Sequence, residues 1–174
     1  TELKRLLENA LGDAGAKIAD ETPLTESEYL DYEILHPDLP GGKLSARFFL
    51  WELTQDRSVA GRPPGEHKLQ LTLGGRGKAR HSFPSRKGRQ NFLLGYSQTY
   101  SLFVGFQIEL HQTFRWSSLV ACRHEALARA RADGWAAHLR GRSPQTGQRE
   151  LSIAFQPYRM IDWLRFQLAH PGVY

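Results

Sequence analysis

The chain has 174 residues, of which 40% are hydrophobic and 11% aromatic, and its formal net charge is +5. This length fits one domain with a packed core, which excludes a disordered tail, a collagen-like repeat and a coiled coil. The sequence contains no run of 18 apolar residues, so we expect no membrane span. It has one cysteine, Cys122, which excludes an internal disulfide. The N-terminus is charged where a secretory signal would be apolar, so we expect a cytoplasmic protein.

Residues 1–26 are predicted to form an N-terminal arm. Leucine and alanine recur at helical spacing over 2–12, which predicts an amphipathic helix, and residues 13–26 read as an acidic connector. Residues 27–174 then form an α+β body. No composition shift or linker marks a second domain, so we expect 1–174 to be a single domain.

Polar and apolar residues alternate over the first half of the body, which predicts strands. The alternation is clearest in 66–73, where Glu66 and Lys68 share one face and Leu69 and Leu71 the other. Strands are predicted at 28–35, 44–54, 66–73, 91–97 and 101–110, with a short one at 81–83.

Helical spacing returns in the C-terminal half. It predicts a helix near 122–133, followed by a strand pair at 135–139 and 150–155. A last helix follows Pro157, a residue that suits a first helical turn. This order predicts an α+β fold with a mostly antiparallel, strongly curved or barrel-like sheet, an N-terminal helix and two helices in the C-terminal half.

Charge is unevenly distributed along the chain. Residues 1–66 have a balance of −6, whereas residues 67–108 hold seven Lys and Arg with no acidic residue, and residues 109–174 have a balance of +4. The acid-free segment is also rich in Gly and Ser. Lys and Arg neutralise phosphates and release their counterions, so this segment favours contact with nucleic acid. The alternative is a solvated loop that only maintains solubility.

The candidate DNA contacts are cations in the acid-free segment, in the loop before 66–73 and in the loop after the last long strand. They are Arg57, Arg62, Arg76, Lys78, Arg80, Arg86, Lys87, Arg89 and Arg115. Trp116 is a candidate for base stacking, with core packing as the alternative. If a base is flipped out of the duplex, Trp51, Tyr96 and Tyr100 are candidate pocket walls.

An enzymatic alternative rests on Asp38, Glu66 and Lys68. Pro-Asp at 37–38 followed by Glu-x-Lys at 66–68 spells the string of the PD-(D/E)xK nucleases, whose chemistry needs two carboxylates for Mg²⁺ and a nearby Lys. Such a short string recurs by chance, and an ordinary ion pair on a sheet face is the alternative. Mg²⁺ is the cofactor only in this case, and we otherwise expect none.

Other chemistry-bearing residues give weaker patterns. The seven histidines lack helical or short-loop ligand spacing, so we expect no metal site. Cys122 precedes Arg123 and His124, which would lower a thiol pKa near a helix start, whereas its apolar neighbours indicate packing.

A family resemblance rests on six segments that follow one another along the chain. They are ARFFLWELT at 46–54, RPPGEHKLQL at 62–71, LLGY at 93–96, LFVGF at 102–106, SSL at 117–119 and IAFQP at 153–157. Across roughly 44–168 the chain resembles a domain carried by bacterial restriction and methylation-linked proteins, often fused to or encoded beside nucleases and methyltransferases. The resemblance implies a DNA-reading module of a defence system, such as a modification-dependent restriction system. It also implies a B3-like pseudobarrel or a base-flipping fold related to the YTH and SRA classes.

The leading hypothesis is therefore a non-catalytic DNA-binding specificity module that contacts phosphates and reads a site or a modified base. Its expected partners are double-stranded DNA and a fused or co-encoded nuclease, ATPase or methyltransferase. The alternatives are the Mg²⁺-dependent nuclease and a protein-interaction module whose basic loop docks an acidic partner.

Overall fold

The computed structural model describes residues 1–21, 28–55, 65–143 and 147–171, in which helices flank a large sheet. The helices are α1 (Glu2–Asp13), α2 (His124–Asp133) and α3 (Met160–Ala169). The strands are β1 (Lys17–Glu21), β2 (Leu30–Leu35), β3 (Lys43–Glu52), β4 (Thr54–Gln55), β5 (Glu66–Leu71), β6 (Arg80–His81), β7 (Gln90–Ser97), β8 (Leu102–Phe106), β9 (Phe114–Arg115), β10 (Ser118–Arg123), β11 (Trp135–Leu139) and β12 (Leu151–Phe155).

The large sheet has seven strands in the order β1-β2-β3-β7-β8-β12-β11. All neighbours are antiparallel except β3 and β7, which pair in parallel. The prediction of an α+β fold with a mostly antiparallel sheet is confirmed. The sheet runs from edge strand β1 to edge strand β11 without closing, so the barrel-like form is not confirmed. Both faces are covered by other elements, and the sheet therefore buries its apolar residues without closing on itself.

Each face of this sheet carries its own core because side chains alternate along a strand. Phe48 and Phe92 are fully buried on the face covered by α1 and α3, where Trp163 packs edge-on against Phe92 at 5.6 Å. Phe49 and Leu93, one residue further along, are fully buried on the opposite face. That second core also contains residues of β5, β10 and α2.

A small sheet in the order β10-β5-β4 belongs to the second face. Strand β4 continues the chain from β3, and its Thr54 pairs with Lys68 of β5. Strands β5 and β10 are antiparallel, with Ser118 opposite Leu71 at one end and Arg123 opposite Glu66 at the other. The β5–β10 pair therefore has two distinct ends, and different clusters of arginine lie at each.

Three strands were not predicted: β1, β10 and the two-residue strand β9, which lies in the loop expected after the last long strand. Strand β1 lies inside the predicted acidic connector and pairs with β2 across a register irregularity. Strand β10 occupies residues predicted to be a loop and the start of a helix, so α2 begins at His124. A short apolar run such as LVAC fits a buried strand and a buried helix equally well by periodicity. No helix among the described residues has the length and apolar character needed to cross a bilayer.

Candidate nucleic-acid interface

Two short strands, β6 and β9, form an antiparallel ribbon on the second face of the molecule. Phe83, just after β6, fixes the ribbon to the core, because its ring lies 4.6 Å from Phe49 and 4.8 Å from Phe114. The ribbon is thus anchored by the half-buried Phe83 and the buried Phe114, while Arg80 and Arg115 at its other positions are exposed.

Arg80 and Arg115 are direct cross-strand partners in this ribbon. Like charges placed opposite each other destabilise a strand pair, by about 0.2–1 kcal/mol. The Arg80 guanidinium donates to the Thr113 side-chain oxygen at 2.9 Å and to its carbonyl at 3.3 Å. Within the described part of the chain neither arginine has a carboxylate partner. A bound anion would therefore relieve a repulsion that these residues leave uncompensated.

Arg76 and Trp116 meet beside the ribbon although they are far apart in sequence. The guanidinium carbon of Arg76 lies 4.9 Å from the indole centroid, within the range of a cation–π contact. Trp116 is held in the tight turn between β9 and β10, where Ser117 has a positive φ of 68° and its amide donates to the Leu71 carbonyl. We call Arg76, Lys78, Arg80, Arg115 and Trp116 the basic face.

The loop before β6 is shaped by a glycine. Gly74 has a φ of +81°, and a Cβ at this position would lie 2.4 Å from the His81 ring. A His81 ring nitrogen lies 3.0 Å from the Gly75 carbonyl oxygen, which keeps the loop close to the ribbon. The Gly74 amide also donates to the Glu28 carboxylate at 3.4 Å. Residues 67–108 contain no acidic residue, but in the folded chain the Glu28 carboxylate accepts a hydrogen bond from this segment's backbone.

The turn before β7 divides the predicted cations. Arg86 and Lys87 are exposed in a turn closed by a 3.0 Å hydrogen bond from the Arg89 amide to the Arg86 carbonyl, with Gly88 at φ +80°. Arg89 turns inward instead, and its guanidinium donates to Glu33 at 3.2 Å. Its side chain is 14% exposed, so the sheet holds Arg89, whereas Arg86 and Lys87 face solvent.

A buried ion pair that sequence reasoning missed supports this turn. Arg47 donates to both carboxylate oxygens of Asp31, at 2.8 and 2.9 Å, and these hydrogen bonds raise the pKa of Arg47 above its usual value. Its guanidinium also stacks on Tyr29 at 3.8 Å and donates to the Pro84 carbonyl at 3.1 Å. Arg47 therefore connects the sheet to the loop that leads into the basic turn. The available signal was that Asp31 and Arg47 both fall on predicted strands.

The three candidate walls of a base pocket are not brought together. Tyr96 is 5% exposed and packs edge-on against Phe103 at 5.0 Å, in the core on the face of the sheet that α1 and α3 cover. Trp51 and Tyr100 pack against the opposite core. The indole nitrogen of Trp51 donates to Thr72 at 3.0 Å.

Tyr100 belongs to a cluster with two histidines. Its hydroxyl lies 2.9 Å from Nδ1 of His124, and the His67 and His124 rings stack at 5.8 Å. His67 is buried, and its Nε2 has no hydrogen-bond partner among the described residues. Burial and the charge of His124 lower the pKa of His67. The position of His67 on the apolar face of β5, with Leu69, was the sequence signal for its burial.

The residues of the nuclease alternative are only partly assembled. Lys68 is buried with its Nζ 3.3 Å from a Glu66 carboxylate oxygen. Asp38 is exposed in the β2–β3 turn, where its amide donates to His36 Nδ1, and no described contact joins it to Glu66 or Lys68. Across the described ranges, no three His, Cys, Asp or Glu side chains are grouped to hold a metal ion.

Arg57 and Arg62 were candidate DNA contacts, and Cys122 was a candidate nucleophile. Arg57 and Arg62 lie outside the described residues. Cys122 is buried, which agrees with the packing alternative, and burial raises its thiol pKa to about 12, whereas the other alternative required a lowered pKa. Burial in an apolar environment disfavours the thiolate and outweighs the neighbouring cations.

Comparison with known proteins identifies a family for this chain. A family model described as methylase-associated X1 matches residues 45–164, a range that contains the whole basic face. No curated protein and no solved structure matches the chain significantly. Because the match covers more than half of the 174 residues, the chain belongs to the methylase-associated X1 family.

Proposed function

We propose that this protein is the DNA-binding specificity module of a bacterial restriction-modification system. The family's association with methylases supports the setting. The observation that carries the DNA contact is the cross-strand pair Arg80 and Arg115, two exposed cations opposite each other with no described carboxylate partner. A polyanion such as DNA would neutralise both cations, which removes their repulsion and stabilises the complex.

The proposed phosphate contacts are the exposed cations of the basic face and of the adjacent turn. They are Arg76, Lys78, Arg80, Arg86, Lys87 and Arg115. Six phosphate contacts correspond to a slope of roughly −5 in a plot of log affinity against log salt, or about 10³-fold weaker binding when salt rises from about 50 to 200 mM. We leave out Arg89, because Glu33 already holds its guanidinium.

Readout of a site or a modified base is assigned to Arg76 and Trp116. The indole lies 4.9 Å from the Arg76 guanidinium carbon, and a contact that restricts the arginine reduces the conformational entropy lost on binding. A planar arginine donates two parallel hydrogen bonds to a phosphate or to the O6 and N7 atoms of guanine. In this proposal Trp116 positions Arg76, and the arginine makes the contact.

The experiment measures the affinity of the full chain for duplexes that are unmodified, cytosine-methylated or adenine-methylated, at two salt concentrations, with and without Mg²⁺. Arg76→Ala is expected to weaken binding about tenfold and to abolish any preference among the duplexes. Arg159→Ala is the control, because the Arg159 guanidinium lies 5.2 Å from the Trp135 ring centroid outside the basic face, where it also pairs with Asp162. Equal losses in the two variants would contradict the proposal.

The same titration separates the alternatives. Binding that disappears at the higher salt, without preference or cleavage, favours a module that docks an acidic protein partner. Cleavage that requires Mg²⁺ and is lost in Lys68→Ala favours the nuclease, for which the supporting observation is the 3.3 Å contact between Glu66 and Lys68.

A further inference from the structure

A cavity of about 220 Å³ lies between the end of β10 and the β11–β12 hairpin, at the end of the β5–β10 pair opposite the basic face. Its walls are strongly basic. The lining residues are Glu66, Ala121, Cys122, Arg123, His138, Arg140, Gly141 and Arg142. None of its arginines was predicted from sequence to contact a ligand, because only the folded chain brings β10 beside the hairpin.

The positive charge of this cavity is largely uncompensated. Arg140 lies 3.9 Å from Glu150, and Arg142 donates to the Gly147 carbonyl at 3.0 Å. For Arg123 and Arg142 the described ranges contain no carboxylate partner. The single carboxylate in the lining, Glu66, already pairs with a lysine outside the lining. Arg123 and Arg142 therefore share a concave site with Arg140, whose partner Glu150 is also held by His111.

Burial is the main influence on the two titratable groups His138 and Cys122 in the lining. Burial and then the charges of Arg123 and Arg140 lower the pKa of His138 against the opposing charge of Glu125, so its imidazole is neutral at neutral pH and can donate one hydrogen bond. Burial raises the pKa of Cys122 to about 12, which leaves a protonated, inert thiol in the wall. Cys122 is therefore not a nucleophile in this site, and the arginines of the lining are the groups that can bind an anion.

We propose that this cavity binds the terminal phosphate of a phosphomonoester, carried by a free nucleotide or by the 5′ end of a nucleic-acid strand. Three arginines suit a phosphate dianion, because each planar guanidinium can donate paired hydrogen bonds to its oxygens. The volume is below the roughly 300–1,000 Å³ of pockets that enclose a whole drug-sized ligand, so the phosphoryl group enters and the remainder stays outside. The internal phosphates of a duplex lie on a convex surface and suit the exposed basic face better.

The site is independent of the DNA contact proposed above. Ser118 and Arg123 lie at opposite ends of β10, about 17 Å apart at a rise of roughly 3.3 Å per residue. Variants at Arg80 therefore leave this cavity unchanged, and variants at Arg123 leave the basic face unchanged. Failure of one proposal is distinguishable from failure of the other.

The test follows the imidazole of His138 by NMR in the full chain during titration with AMP, with adenosine as the probe that lacks phosphate. AMP is expected to raise the His138 pKa, since its negative charge offsets the nearby arginines, whereas adenosine leaves that pKa unchanged. Arg123→Gln is expected to weaken AMP binding about tenfold or more, the loss of one charged hydrogen-bonding group. Arg129→Gln, an exposed arginine of α2, is the matched control.

A second arm distinguishes the two sources of the phosphate. A short single strand with a 5′ phosphate is compared with the same strand ending in a 5′ hydroxyl, and preference for the former over AMP assigns the site to strand ends. If neither AMP nor the phosphorylated strand moves the His138 pKa, the proposal is wrong. It is equally wrong if Arg123→Gln binds AMP as the unaltered chain does while retaining its unfolding midpoint.

Discussion

Arg89 and Lys87 are two residues apart and carry the same charge, yet we expect opposite consequences when each is replaced by glutamine. The Arg89 guanidinium donates to Glu33 at 3.2 Å and to the Ala46 carbonyl at 3.3 Å, and its side chain is 14% exposed. A hydrogen bond to a charged group contributes about 1.5–3 kcal/mol, and partial exposure places this pair inside that range. Arg89→Gln is therefore expected to lower the free energy of unfolding by about 2–3 kcal/mol.

Lys87 is exposed in the turn, so Lys87→Gln is expected to change the free energy of unfolding by less than about 0.5 kcal/mol. In the DNA titration the order is reversed. Lys87→Gln reduces the salt slope by roughly 0.9, the value of one phosphate contact, and Arg89→Gln leaves that slope unchanged.

Urea denaturation measures the first effect, with equal m-values confirming that the midpoint shift reflects stability. For a chain of this size a loss of 2–3 kcal/mol corresponds to a fall in Tm of roughly 4–12 °C. The reasoning is refuted if Arg89→Gln unfolds at the same urea concentration as the unaltered chain and lowers the salt slope as much as Lys87→Gln does.

Three further predictions concern the cores. His67 is buried with a lowered pKa, so its contribution to stability is full above about pH 6.5, the pKa of an unfolded histidine. Below that pH the free energy of unfolding declines, by up to about 1.4 kcal/mol per pH unit, until the pH passes the lowered pKa of the folded state. Urea titrations at several pH values should show a smaller decline in His67→Gln than in the exposed control His170→Gln. Gly105→Ala places a Cβ 1.9 Å from Nε1 of Trp163, so we expect at least about 2 kcal/mol of destabilisation in urea, and an unchanged midpoint would contradict the packing. Because burial raises the pKa of Cys122 to about 12, its alkylation by iodoacetamide near pH 8 should occur only in denaturant, and rapid labelling of the native chain would contradict its burial.

Local sequence patterns were enough for much of the fold. The clean alternation of Glu66 to Leu71 predicted β5, and leucines at helical spacing predicted α1, because each pattern reflects one apolar face on one core. Strand β1 was not predictable in this way. It is an edge strand with few apolar residues, and its hydrogen bonds to β2 do not require them.

The candidate site was predictable in composition but not in partners. The absence of acids in 67–108 identified the cations, whereas the inward turn of Arg89 depends on Glu33, a residue 56 positions earlier. That contact exists because β7 pairs in parallel with β3, and β3 in turn pairs with β2. Parallel pairing between distant strands leaves no local signal in one sequence. Charge counts alone therefore cannot separate a structural arginine from one that is free to bind.

The same limit explains the second basic cluster. Arg123 ends β10, whereas Arg140 and Arg142 follow β11, and helix α2 and strand β11 separate them along the chain. Their convergence follows from α2 packing across the sheet so that β11 lies beside the end of β10. A search for cations near one another in sequence finds the basic face and misses this cavity.

The most direct test of the account is the salt dependence of DNA binding after removal of the cross-strand cations. Fluorescence anisotropy with one labelled duplex over a series of salt concentrations gives the slope for the double variant Arg80→Gln/Arg115→Gln. The charge-matched control is Arg129→Gln/Arg165→Gln, two exposed arginines on α2 and α3. We expect the slope to fall by about 2 in the first variant and to stay unchanged in the control. Parallel lines for the two variants would contradict the claim that the basic face is where this protein contacts DNA.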